Sequence, residues 1–142
     1  MKKLLLLLTL TVVLFGQSLK ENWMPITEST TETTYINTEG LKKFMNGDIY
    51  VWVLQEHSPP LQMEGVDGDI YKTKTYYLFN DQMKRYGIEQ IIYYDEDGDV
   101  LKSYSYSKKT NLPQFKYNFP VFKGTNEEVV LSKILELTGD NN

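Results

Sequence analysis

Apolar residues in this chain follow three different rhythms. They run from Leu4 to Phe15 with only Thr9 and Thr11 between them, alternate with polar residues through the middle, and return at helical spacing near the end. The first rhythm follows Lys2 and Lys3 and gives way to Gly16, Gln17 and Ser18. A basic start, an apolar centre and small residues at the end form the layout of a secretory signal peptide. The apolar run of about 12 residues is too short for a bilayer core about 30 Å thick, which needs roughly 20 helical residues. Cleavage after Ser18 would place Gly16 and Ser18 at the small −3 and −1 positions and leave Leu19 as the new N-terminus. Cleavage after Gly16 is the alternative.

The middle of the chain reads as strands. Trp23–Glu28 is the first, and Pro25 suits an edge position where no ladder donor is needed. A turn over residues 29–34 leads to a short strand at residues 34–37, and residues 38–44 read as one helical turn capped by Asn37 or Thr38. Ile49–Leu54 is dense in aromatic and β-branched residues and predicts a strand strongly. Residues 55–68, carrying Pro59, Pro60, Gly65 and Gly68, predict a long loop. Such loops tend to be functional. Strands follow at residues 70–79, 88–94 and 100–107, with a turn or short helical excursion over residues 80–87. The last two strands flank Asp95-Glu96-Asp97-Gly98-Asp99, a hairpin turn in which Gly98 permits a positive φ. Residues 111–124 are expected to be extended and broken by Pro113 and Pro120.

The third rhythm begins at Thr125-Asn126-Glu127-Glu128, a capping box in which Thr125 accepts from the Glu128 amide and Glu128 reaches back. Val129, Val130, Ile134, Leu135 and Leu137 then recur at helical spacing, and Gly139 can end the helix in a left-handed conformation. The expectation is an α+β fold: an antiparallel sheet of about six strands with one C-terminal amphipathic helix packed on it. The domain plan is a signal peptide over residues 1–18 and a single domain over residues 19–142.

Composition narrows the function classes. Removing Lys2 and Lys3 with the leader takes the net charge from −4 to about −6, which disfavours nucleic acid and anionic lipid, both of which need clustered cations. Cysteine is absent. That removes thiol catalysis and thiolate metal sites, and no cysteine follows the apolar run to carry a thioether lipid. With one histidine, His57, a His-rich transition-metal site is out of reach. No cofactor and no membrane span are expected, and the oligomeric state stays open.

Candidate chemistry is sparse. The acids at Asp95, Asp97 and Asp99 have a spacing that begins like a calcium loop, but the glycine is misplaced and position 105 is Ser rather than a bidentate Glu. A hairpin turn accounts for all of them. Glu56-His57-Ser58 brings a carboxylate, an imidazole and a hydroxyl together in sequence, yet neighbours in a loop rarely point at one another, so His57 is expected to be solvated. Tyrosine is abundant, at 11 residues. Tyr104 and Tyr106 share a strand face and Tyr93 lies across the hairpin. Should the helix cover one sheet face, the other is a candidate tyrosine-bearing partner surface, against a plain reading of cross-strand packing.

The ordered set of elements resembles the surface-adhesin protein E domain of exported bacterial proteins. The resemblance rests on Trp23, Tyr35-Ile36-Asn37 before Leu41-Lys42-Lys43, and the stretch from Gly47 to Leu54. It continues through residues 72–80, Ile91 to Asp95, Gly98 to Ser103, and Phe119-Pro120 ahead of the final helix. It implies a sheet with a C-terminal helix, periplasmic or surface placement, and, as in the family's best-known adhesins, binding of host matrix or plasma proteins. The family's usual cysteine pair, joining the region of Asn80-Asp81 to the C-terminal helix, has no counterpart here. The expected function is therefore an exported, non-enzymatic binding module contacting protein or envelope partners. The alternative is a periplasmic hydrolase or inhibitor with carboxylates assembled by the fold, and a third reading is a structural partner in an envelope complex.

Overall fold

The computed structural model describes residues 20–106 and 110–139. The expected leader and its cleavage point at Ser18 and Leu19 lie outside the described residues.

Six strands form an antiparallel meander in chain order: β1 (Trp23–Glu28), β2 (Glu32–Asn37), β3 (Asp48–Leu61), β4 (Ile70–Asn80), β5 (Arg85–Tyr94) and β6 (Val100–Ser105). A helical turn, α1 (Pro113–Lys116), leads to the two-residue β7 (Phe119–Pro120), and the chain ends in α2 (Asn126–Thr138). β4 occupies one edge of β5. Along the other edge, β6 pairs with residues 90–94 and β7 with Arg85 and Tyr86. The α+β expectation holds, with an antiparallel sheet and a C-terminal helix.

Alternation sorts the sheet into two faces. On β3, Ile49, Val51 and Val53 are buried, and they cluster with Ile36, Tyr77, Phe79 and the α2 residues Val130, Leu131 and Ile134. Full burial of each such aliphatic side chain is worth about 1.5–3 kcal/mol, which is what holds the helix on the sheet. Thr125 caps α2 by accepting from the Glu128 amide at 3.3 Å. The Glu128 carboxylate reaches back to the Gly124 amide at 2.6 Å, one residue earlier than the usual box. Gly139 closes the helix at φ 85.

Several boundaries differ from expectation. β3 does not stop at Leu54 but runs to Leu61, so the expected loop over residues 55–68 shrinks to the stretch between Leu61 and Ile70. Pro59 and Pro60 are tolerated because the β3–β4 register shifts between Glu56 and Leu61, where no ladder donor is required. Residues 38–44 form no helix; turns and a bridge from Lys43 to Ile49 take its place. The stretch after Asn111, expected to be extended, contains α1, which Pro113 starts because a first helical residue needs no N–H donor. Pro25 does lie on an edge strand, at a register shift.

A candidate binding face opposite the helix

The residues between the core positions of β3 build the other face. Tyr50 and Trp52 point away from α2, and Trp52 sits directly across from Tyr76 of β4. Their rings stack at 4.7 Å between centroids with 20° between planes. Tyr50 approaches Tyr76 at 5.8 Å, and Phe44 meets Tyr50 edge-on at 6.2 Å and 89°. At the other end, the Lys74 ammonium lies 5.3 Å from the Trp23 ring and 5.1 Å from the Trp52 ring. Glu21 fixes this end: it pairs with Lys74 and accepts from Trp23 Nε1 at 3.0 Å. The Lys74 hydrogen bond holds the Glu21 carboxyl below its ordinary range, against a smaller opposing push from burial.

An aromatic row thus crosses β1, β3 and β4 on the face that α2 leaves uncovered. Tyr50 is 37 % and Phe44 43 % exposed. Beside the row lies a cleft of about 250 Å³ lined by Asn37, Glu39, Lys42, Phe44, Tyr50 and Trp52, among others. The same face is closed further along by α1 and Tyr117. Asp48 is buried there and accepts from Lys116 at 2.7 Å, from Asn80 at 2.9 Å, from Asn46 at 3.0 Å and from the Tyr117 hydroxyl. Burial pushes the Asp48 carboxyl up, but these hydrogen bonds together outweigh it and hold the group below its ordinary range. The cluster makes a hydrogen-bonded wall at one end of the row.

Tyr93, Tyr104 and Tyr106 come together as a second aromatic group. Tyr93 meets Tyr104 edge-on at 6.3 Å, and Tyr104 stacks with Tyr106 at 6.3 Å. Tyr93 pairs across the ladder with Thr73, and Tyr104 with Ile91, which pairs with Thr75. Thr73 and Thr75 share the strand face of Tyr77 and Phe79, so these tyrosines lie on the helix-bearing side of the sheet, not opposite it. Tyr93 is buried with Val66 and Ile70, and Tyr106 is exposed.

His57 is not the solvated loop residue expected. It lies within β3, with its side chain 4 % exposed. Nε2 is 2.9 Å from the Thr73 hydroxyl and Nδ1 is 3.5 Å from the Glu32 carboxylate. Burial holds the imidazole below its ordinary value, and the Glu32 charge opposes that shift. Glu32 also accepts from Gln55 at 3.0 Å and from Thr34 at 3.2 Å. Glu56 points to the other face, bonded by the Tyr35 hydroxyl at 3.1 Å and paired with Lys72 at 3.6 Å. Glu32, Glu56, Glu96 and His57 do border one cleft of about 370 Å³. The His57 imidazole is nearly enclosed there, with Thr73 at one nitrogen and Glu32 at the other.

The acidic turn closes on itself. The Asp95 carboxylate accepts from the Asp99 amide at 2.8 Å, and Gly98 adopts φ 85. Among the described residues no group of three or more His, Asp or Glu side chains converges to hold a metal ion. Nor is any helix there long and apolar enough to cross a membrane.

The aromatic row was legible in part. The alternation in Ile49–Leu54 puts Tyr50 and Trp52 on one face, but choosing which face the helix covers needs the register. Trp23 and Lys74 join only through strand order. Compared with known families, residues 23–134 match the model described as surface-adhesin protein E. No curated protein and no solved structure matches the chain.

Proposed function

Because the chain belongs to the surface-adhesin protein E family, we propose that it is an exported, non-enzymatic module that attaches to protein or envelope partners. The acting form is the single domain over residues 19–142, released from its leader after Ser18, periplasmic or secreted and without a lipid anchor. The observation that carries this reading is the aromatic row from Trp23 to Phe44 on the sheet face that α2 leaves open. Aromatic side chains offer large contact area at low entropic cost and are enriched where proteins bind. Tyr104 and Tyr106, resting on buried Tyr93, supply a second contact on the other side of the sheet.

The non-enzymatic reading is supported by the engagement of His57, whose side chain is nearly enclosed and meets Thr73 at one nitrogen and Glu32 at the other. Binding is tested by immobilising the mature domain and passing envelope proteins and host plasma and matrix proteins over it. A purified partner captured by the wild-type domain should bind about tenfold more weakly to Tyr50→Ala, a change of about 1.4 kcal/mol. Tyr104→Ala with Tyr106→Ala reports on the second contact. Equal binding by all of these variants would remove both faces from the proposal, and no binding by the wild type to any of the proteins would sink it.

A further inference from the structure

The cleft beside the aromatic row has a composition of its own. Phe44 and Tyr50 stand at 89° to each other and form an aromatic corner. The rim opposite carries three different polar groups. Asn37 uses its Oδ1 to accept from the Asn22 amide at 3.0 Å and the Glu39 amide at 3.1 Å, which fixes the side chain. Its Nδ2 makes no hydrogen bond among the described residues. The Lys42 ammonium rests over the Phe44 ring at 4.6 Å, and among the described residues the Glu39 carboxylate makes no hydrogen bond and Lys42 no ion pair.

These groups restrict what fits. One carboxylate and one ammonium at the rim cancel, and the charges at the Trp23 end cancel as well in the Lys74–Glu21 pair. A site with no net charge has no electrostatic preference for a polyanion or a polycation. Free amide, carboxylate and ammonium groups together both donate to and accept from hydroxyls. Aromatic walls suit the apolar C–H faces of a saturated ring. The volume of about 250 Å³ is a little below the usual range for ligand clefts, ~300–1,000 Å³. It admits a ring or two of a chain that continues along the aromatic row, and is too small for a folded protein surface.

We propose that this cleft binds a neutral oligosaccharide, with Phe44, Tyr50 and Trp52 as walls and Asn37, Glu39 and Lys42 as hydroxyl partners. This rests on the surface-attachment reading and names its ligand. Glycans of a cell envelope and of host glycoproteins share this chemistry.

Both tryptophans of the chain are on this face, so the protein carries its own reporter. Full-length chain as exported is titrated with two neutral probes, a β-1,4-linked N-acetylglucosamine tetramer and a glucose tetramer, following tryptophan emission and backbone amide shifts. The expected result is a saturable emission change with at least one probe, accompanied by shifts centred on residues 37–44, 50–52 and 74–76. Phe44→Ala and Glu39→Gln, both at exposed positions, should each weaken it by about tenfold with unchanged circular dichroism. The inference is overturned by no response to either probe up to about 10 mM, by unchanged affinity in both variants, or by a response only to heparin that salt abolishes. A second arm separates the two readings. If the wild-type domain binds a partner surface equally before and after enzymatic deglycosylation, the sugar inference fails while attachment stands. If it binds neither, attachment fails, and the titration alone decides the sugar site.

Discussion

His57 illustrates how a single residue changes meaning between sequence and fold. As a neighbour of Glu56 and Ser58 it belongs to a loop; as a member of β3 it faces Thr73 and Glu32 inside the sheet. The groups that face it are the Glu32 carboxylate from β2 and the Thr73 hydroxyl from β4, and burial outweighs the Glu32 charge. Its folded pKa is thus lower than the unfolded value of about 6.5. The unfolded chain then binds more protons as pH falls through that value, so His57 contributes stability that is full above it and is lost progressively below. Urea unfolding at pH 7.5 and pH 5 should show a loss on the acid side that is smaller in His57→Gln than in the wild type. Identical pH dependence in the two proteins would show that the imidazole is not what responds. Carboxylates such as Asp48 and Glu21 do not confuse the comparison: their folded values are lowered, and both proteins share them.

At the level of elements, what could be read was what obeys a period. The alternation in β3 and β4 and the capping box of α2 follow directly from spacing, and the structure has strands and a helix there, with β3 continuing past Leu54. The misses share a cause: a local breaker signal overridden by tertiary pairing. Pro59 and Pro60 read as loop, yet the Ser58 amide still bonds to the Thr31 carbonyl at 2.9 Å and keeps β3 extended. The turn of α1 has no apolar period and no buried residue, so nothing in its own sequence announced it. Its close approach to the sheet is permitted by a neighbour without a side chain. A Cβ added at Gly87 of β5 would lie 2.3 Å from the Lys116 carbonyl oxygen. Because the obstacle is backbone, α1 must move as a unit, drawing Lys116 and Tyr117 from Asp48. Gly87→Ala should therefore cost about 2–3 kcal/mol in chemical denaturation, in the range of overpacking. It should also shift the amide resonances of residues 113–117. A variant as stable as wild type with those resonances in place would mean the close approach is not what positions α1.

For the whole molecule, the question of faces decides which residues are available to a partner, and this is where sequence alone was least able to help. Tyr93, Tyr104 and Tyr106 attract attention because they alternate in a hairpin, but alternation says only that they share a face. The register through Thr73 and Thr75 assigns them to the helix side, and the same register opens the side bearing Trp52 and Tyr76. The N-terminal end fits that geometry. Among the described residues, contacts with the sheet begin with Glu21, which pairs with Lys74, and Asn22, whose amide bonds to Asn37 at 3.0 Å. Both residues lie after the expected cut at Ser18, so cleavage there would keep the Glu21 and Asn22 contacts that anchor Trp23 at the end of the aromatic row. The mature chain starting at Leu19 should then unfold at the same denaturant concentration as the uncleaved chain, within about 0.5 kcal/mol. Intact-mass measurement of the exported protein should give a chain beginning at Leu19, or at Gln17 for the alternative cut. An uncleaved chain recovered from the cytoplasm would refute export. A cleaved chain beginning beyond Glu21 would have lost the clamp on Lys74, and with it the Trp23 end of the row.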